Sequence, residues 1–249
     1  MERGGEEANA APMNLPNLSG LSLKSQSTHA QWLQACGTRP DFKSWESNRA
    51  KDKHRLLHSV AETADNDEVE GGSYVSAYEQ KDTDVLRNTQ QYSVEHVVPR
   101  SHVNGNEPGE AEDDPLGWIE ATRRANSQRS NSPLYLWCDP KGKIAIPGTK
   151  VYVDGELHYV PPFEQRARLA RKWLFIRATY PGVSTPTDAQ RRHAAEIVAL
   201  AKYYPAAEAE IKVNEIYRKQ LGWANPLLEA NPEKWYDDDK WRASIFWSV

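Results

Sequence analysis

The chain has 249 residues, 39% of them hydrophobic and 27% charged, with a formal net charge of -4. This is enough for one large domain or one domain with an appendage, while apolar runs such as Trp173–Ile176 and Ile197–Leu200 fall far short of the roughly 20 residues that span a bilayer. Two cysteines, Cys36 and Cys138, exclude a disulfide framework and a cysteine zinc site, leaving two reduced thiols or a single bridge.

Residues 1–27, rich in Gly, Ala, Asn, Pro and Ser without periodicity, are expected to form a flexible arm. They lack the basic start and apolar core of a secretory signal, so either the chain stays inside the cell or a signal was removed before this numbering; the first, an intracellular (cytoplasmic or virus-associated) protein with no membrane partner, is expected. From His29 to Ala64 helical patterns are interrupted by Pro40, and Glu62–Gly72 reads as an acidic loop. Gln91–Val98 is short, β-branched and bounded by Pro99, as a strand is. Ser101–Asp114 reads as a loop, and Pro115–Asn126, with Leu116, Ile119 and Arg123 at helical spacing, as a helix.

Lys150–Val160 alternates around Asp154-Gly155, the strongest hairpin signal in the chain. Phe163–Tyr180 predicts an amphipathic helix, with Leu169, Trp173 and Ile176 on one face and Arg168, Arg171 and Lys172 on others. Thr187–Tyr204 predicts a second helix, opening with Thr187 and Gln190 at capping-box spacing, and Ala206–Leu221 a third that stops at Gly222. The Trp-rich residues 229–249 read as a tail packed back on a domain spanning 28–228. The class expected is α+β, mainly helical, with a small antiparallel sheet.

Net negative charge is the wrong sign for a simple nucleic-acid binder, whose phosphate affinity comes from Lys and Arg. The average hides a pattern: residues 115–180 hold 11 basic and 5 acidic side chains, 11 minus 5 or +6, while acid gathers in 62–84, 107–114 and 237–239.

Glu95-His96 sits at the end of the expected strand, just before a loop. Neighbouring strand side chains point to opposite faces, so both reach one site where the strand ends and twists. Asn126-Ser-Gln-Arg-Ser-Asn131 follows on a helix or its end. A carboxylate and an amide oxygen suit Mg²⁺, which keeps several waters and needs one or two protein groups, and a neutral His takes a proton from water near pH 7. Together they are the minimum equipment for phosphodiester hydrolysis.

These segments resemble the endonuclease I family of non-specific nucleases. The resemblance runs through Tyr92-Ser-Val-Glu-His-Val-Val-Pro, Asn126–Asn131, Trp137, Pro161-Pro162, Arg166, Leu169-Ala170-Arg171, Trp173, Phe175 and Tyr180, then Tyr204-Pro205, Glu208, Glu210, Gly222 and Asn225-Pro226. It covers about residues 92–228. The resemblance implies a ββα-metal (His-Me finger) core that cuts DNA, and in some members RNA, with little sequence preference, leaving 5′-phosphate ends. It assigns His96 as general base, Glu95 and Asn126 as ligands of one Mg²⁺ or Mn²⁺, and Arg129, Arg166 and Arg171 as candidates for phosphate contact, to which Arg100 beside Pro99 is added as a candidate on this chain's own sequence. For Arg166 and Arg171 a structural role weighs equally. Asn131 matches a position whose plain role is holding a helix end. An inhibitor protein, packaging or a compartment would each keep such an enzyme from its host.

The chain departs from the family in three places. The loop Ser101–Asp114 lacks the family's transition-state Arg, for which Arg100 or Arg129 is a candidate substitute. The helix motif usually opens Asp-Leu-His-Asn-Leu, and here Asp113 or Asp114 stands for its acid. The disulfides of secreted relatives are absent. Alternatives are a catalytically silent relative that binds nucleic acid or acts structurally, a site-specific HNH enzyme, and a zinc site from His96 and His102. His29, His54, His58, His158 and His193 have no constellation around them.

Overall fold

The computed structural model describes residues 25–40, 42, 92–102, 110–137, 145–180 and 182–247. The expected arm up to residue 24, the acidic loop at 62–72, His54, His58 and Cys138 lie outside the described residues. Nine α-helices and four strands are found among the described residues, in two small antiparallel sheets, so the fold is α+β and mainly helical. No helix among them is long and apolar enough to cross a membrane.

Strand β1 (Tyr92–His96) pairs antiparallel with β2 (Trp118–Thr122), in a register running from Tyr92 opposite Thr122 to His96 opposite Trp118. Between them come a 3-10 turn at Arg100–His102, the short helix α2 (Glu110–Asp113) and a second 3-10 turn at Pro115–Gly117. The helix expected over 115–126 is therefore corrected to a turn, a strand and then α3 (Arg123–Arg129). Asp114 causes the difference, because its side chain accepts from Leu116 N and closes the turn. Trp118, Ile119 and Thr122 then fill a buried strand with the bulky and branched residues that suit one. Thr122 ends β2 and caps α3 through its hydroxyl, which accepts from Ala125 N at 3.0 Å.

The second sheet is the expected hairpin, β3 (Lys150–Val153) with β4 (Glu156–Tyr159). Asp154 and Gly155 both take positive φ, 55° and 83°, as a two-residue hairpin turn of the right twist requires.

Helix α4 (Phe163–Thr179) is the central element, and its environment corrects the expected basic outer side. Arg166, Arg171, Lys172 and Arg177 are buried along with Leu169, Leu174 and Phe175. Lys172 donates to Leu116 O at 2.9 Å, and Tyr180 just beyond the helix donates to Asp114 at 2.8 Å, which ties the turn before β2 to α4. Gly117 allows that approach, since a Cβ there would lie 2.6 Å from the Ile176 side chain.

The helix expected over 187–204 is split at His193 into α5 (Asp188–Arg192) and α6 (Ala194–Tyr203), with the Thr187 capping box in place. Helix α7 (Glu208–Leu221) ends as expected at Gly222, with φ 67°. The tail forms α8 (Glu233–Tyr236) and α9 (Asp239–Phe246), and both pack inward. Trp235 and Trp241 meet Trp32 of α1 (Ser25–Cys36) at ring distances of 5.0 and 5.3 Å, while Phe246 meets Trp173 at 5.5 Å.

Candidate active site

Strand geometry sorts the candidate residues by face. Ser93 and Glu95 alternate onto the face that α3 covers, and His96 turns to the other. On α3, Asn126 and Arg129 are three residues apart and share the side facing β1. Asn126 Nδ2 donates to Ser93 Oγ at 2.8 Å, which fixes the amide so that Oδ1 points away from that contact. Glu95 Oε1 accepts from Arg129 Nη1, the same nitrogen that donates to His96 O. Arg129 Nη2 donates to Val97 O at 2.9 Å and Nε to Ser132 O at 3.2 Å. Burial pushes the Glu95 carboxyl above its ordinary range, and the charge and hydrogen bond of Arg129 act against that push.

On the opposite face, His96 Nε2 lies 3.0 Å from Glu112 O, an acceptor it shares with Trp118 Nε1 at 2.9 Å. A carbonyl oxygen has no proton to give, so Nε2 carries the hydrogen and the lone pair of the neutral ring lies on Nδ1. The Trp118 ring stands edge-on to the imidazole at 6.5 Å and limits its rotation. The Glu112 carboxylate pairs with Arg100, whose side chain is 62% exposed. One residue therefore orients the imidazole with its carbonyl and holds an accessible guanidinium with its side chain.

β1 and α3 thus bring Glu95, Asn126 and Arg129 together on one face, His96 and Arg100 meet at Glu112 on the other, and Arg166 and Arg171 lie apart. Arg129, fully buried, and the buried Arg166 and Arg171 are corrected from phosphate contacts to internal ties, because their guanidiniums are bound to protein acceptors. Arg166 donates to Trp137 O at 2.7 Å and lies over the Tyr135 ring. Arg171 grips Glu210 through two hydrogen bonds of 2.9 and 2.7 Å and also caps Ala201 O and Tyr204 O. The end of α3 is closed by Ser130, at φ 51°, with its N–H on Asn126 O, leaving Asn131 exposed.

Sequence reasoning missed Ser93 and Glu112, since nothing local marks a serine as an amide anchor or a backbone carbonyl as an imidazole partner. Between Asp113 and Asp114 the structure selects Asp114 as the buried anchor. It accepts from Leu116 N, Tyr180 Oη and Trp223 Nε1 at 2.8, 2.8 and 3.0 Å. His158 and His193 pack against Trp137, His193 stacked at 4.6 Å.

A tetrahedral zinc set is not found, as no cluster of three or more His, Cys, Asp or Glu able to hold a metal occurs among the described residues. The fit to a hard cation is different. The second oxygen of Glu95 and Oδ1 of Asn126 have no hydrogen-bond partner among the described residues, and they are oxygen donors of the kind Mg²⁺ takes one or two at a time. No protein-family model matches this chain, and no curated protein matches it.

Proposed function

We propose that the protein is a divalent-metal-dependent endonuclease in which β1, β2 and α3 act as a ββα-metal core. The observation that carries this reading is the tautomer fixed on His96. Its Nε2–H is held by Glu112 O, which leaves Nδ1 as the basic nitrogen, and the adjacent Glu95, across the strand from the imidazole, shares a face with the Asn126 amide. Glu95 and Asn126 Oδ1 would hold one Mg²⁺ or Mn²⁺, which when bound offsets the charge that builds on the phosphate oxygens and the leaving 3′-oxygen.

His96 Nδ1 takes the proton of the attacking water, and the Nε2–H···O=C bond to Glu112 strengthens as the ring becomes cationic. Arg100 contacts the phosphate flanking the cut, and Arg123 and Arg124, exposed at the start of α3, follow the backbone without reading bases. DNA, and RNA by the same phosphate chemistry, is the substrate, and the product end carries a 5′-phosphate.

The Arg129–Glu95 ion pair favours a second reading, a catalytically silent nucleic-acid-binding relative, since a guanidinium already neutralises the carboxylate that a cation would use. Nicking of supercoiled plasmid in Mg²⁺, Mn²⁺ and EDTA, with His96→Ala beside the native chain, decides between them. The nuclease reading expects metal-dependent cleavage that falls on the order of a hundredfold to ten-thousandfold in the variant. Binding without cleavage in either metal establishes the silent relative, and discrete bands from a long linear DNA establish a site-specific enzyme.

A further inference from the structure

Arg177, near the end of α4, is 9% exposed, and no carboxylate among the described residues pairs with it. Its Nε donates to Ile245 O at 3.3 Å and its Nη1 to Ser184 O, and the guanidinium lies over the Trp173 ring at 5.1 Å. The buried Arg129 and Arg171 differ in this respect, each gripping a glutamate. A buried charge is ordinarily paired, because desolvation costs several kcal/mol per ion. Burial, reinforced by repulsion from a second cation, Arg191, pushes the Arg177 pKa down to about 9.

Both arginines line a cavity of about 380 Å³. His102 lines it too, its imidazole without a hydrogen-bond partner among the described residues. Burial, with Arg129 and Arg177 nearby, lowers the His102 pKa, against an opposing pull from Glu156. Val97, Leu134 and Pro186 supply an apolar wall. Two carboxylates also border the space, but Asp188 is bound to Arg191 at the surface and Glu156 is exposed. A second depression of about 350 Å³ shares His102, Pro133, Glu156 and Thr187 with the cavity and reaches Ser130–Ser132, just past the end of α3.

We propose that this cavity binds a phosphate monoester carried on a small organic body, with the phosphoryl group on Arg177 Nη2 and His102 and the body against Val97, Leu134 and Pro186. The phosphoryl group supplies the anion that Arg177 lacks. Its oxygens can accept from the donors the lining supplies, the Arg177 guanidinium and the His102 imidazole, with the hydroxyls of Ser184 and Thr185 also in the lining. The volume exceeds what inorganic phosphate fills and suits a small organic ligand. None of these groups belongs to the proposed cutting apparatus, so the inference stands apart from the nuclease reading.

The test is histidine NMR on the 249-residue chain, with His102 assigned from a His102→Gln variant, at about 10 mM ligand and matched ionic strength. The probes are a 5′-mononucleotide, inorganic phosphate and the uncharged nucleoside. The mononucleotide should raise the His102 titration midpoint by about half a pH unit or more, as an adjacent anion favours the imidazolium, and should raise Tm by mass action. Arg191→Ala, a half-buried position less exposed to folding failure than Arg177, should keep the native circular dichroism and weaken mononucleotide binding several-fold. A response to inorganic phosphate as well assigns recognition to the phosphoryl group alone, and a response to the mononucleotide only assigns part of it to the apolar wall. His102 titrating identically with every probe, with no change in Tm, overturns the proposal.

Discussion

At the scale of single residues, charge burial in this protein is managed by what each cation finds across a helix interface. Lys172 finds Leu116 O and the more distant Asp114, Glu120 and Glu210, and burial, reinforced by Arg168, still pushes its pKa from 10.5 down to about 8. A base whose folded value lies below its unfolded value contributes stability that is whole above about pH 10.5 and lost as pH falls through about 8. The unfolding free energy should therefore rise with pH across that window, and Lys172→Met should remove the rise. Cys36, whose thiol is pushed far above 9.0 by burial, gives the opposite slope above pH 9 in both proteins. The difference between the two denaturant-derived curves is thus the quantity to measure, and parallel curves would sink the assignment. Glu95, His96 and Asn126 are legible as candidates because their chemistry sits in two short segments. The burial of Arg166, Arg171, Lys172 and Arg177 is not, because it depends on Trp137, Glu210, Leu116 and Ile245, each far away in the chain.

At the scale of elements, local chemistry decided which predictions held. The β3–β4 hairpin, the Thr187 capping box and the Gly222 stop are each specified by two to four adjacent residues, and all three are present. Over 115–126, Leu116, Ile119 and Arg123 fit a period of 3.6, whereas strand pairing of Trp118–Thr122 with β1 is a tertiary choice that no spacing within the segment records. The most constrained junction is the end of α1. Arg218 donates to Ala35 O and Cys36 O, and Gly37 bridges to Trp223 with φ at +107°. A Cβ at Gly37 would lie 2.0 Å from Gly222 O, a backbone atom that α7 holds in place. Gly37→Ala should cost at least about 3 kcal/mol, from backbone strain and the clash together, measured as a lower denaturation midpoint at unchanged m-value. A loss under about 1 kcal/mol would mean that α1 docks more loosely than these contacts describe.

At the scale of the whole molecule, one hydrophobic core runs from α1 through β1–β2 and α4 to α9. The candidate site lies on this core but does not hold it together, for Arg129 already neutralises Glu95 and pins His96 O, Val97 O and Ser132 O. On the nuclease reading, EDTA should abolish cleavage while leaving Tm within a degree or two of its value in Mg²⁺; a large fall in Tm would show that the cation is part of the fold. The aromatic contact between α1 and the last two helices has a further consequence, for biosynthesis. Trp32, Trp235 and Trp241 bury one another from opposite ends of the described chain, so during translation α1 emerges long before the rings that cover it exist. Until α9 leaves the ribosome, Trp32 has Phe175 and Thr179 of α4 beside it but lacks the two rings that complete its cover. Closure of this part of the core therefore comes late in synthesis, when the exposed ring is most open to misassembly.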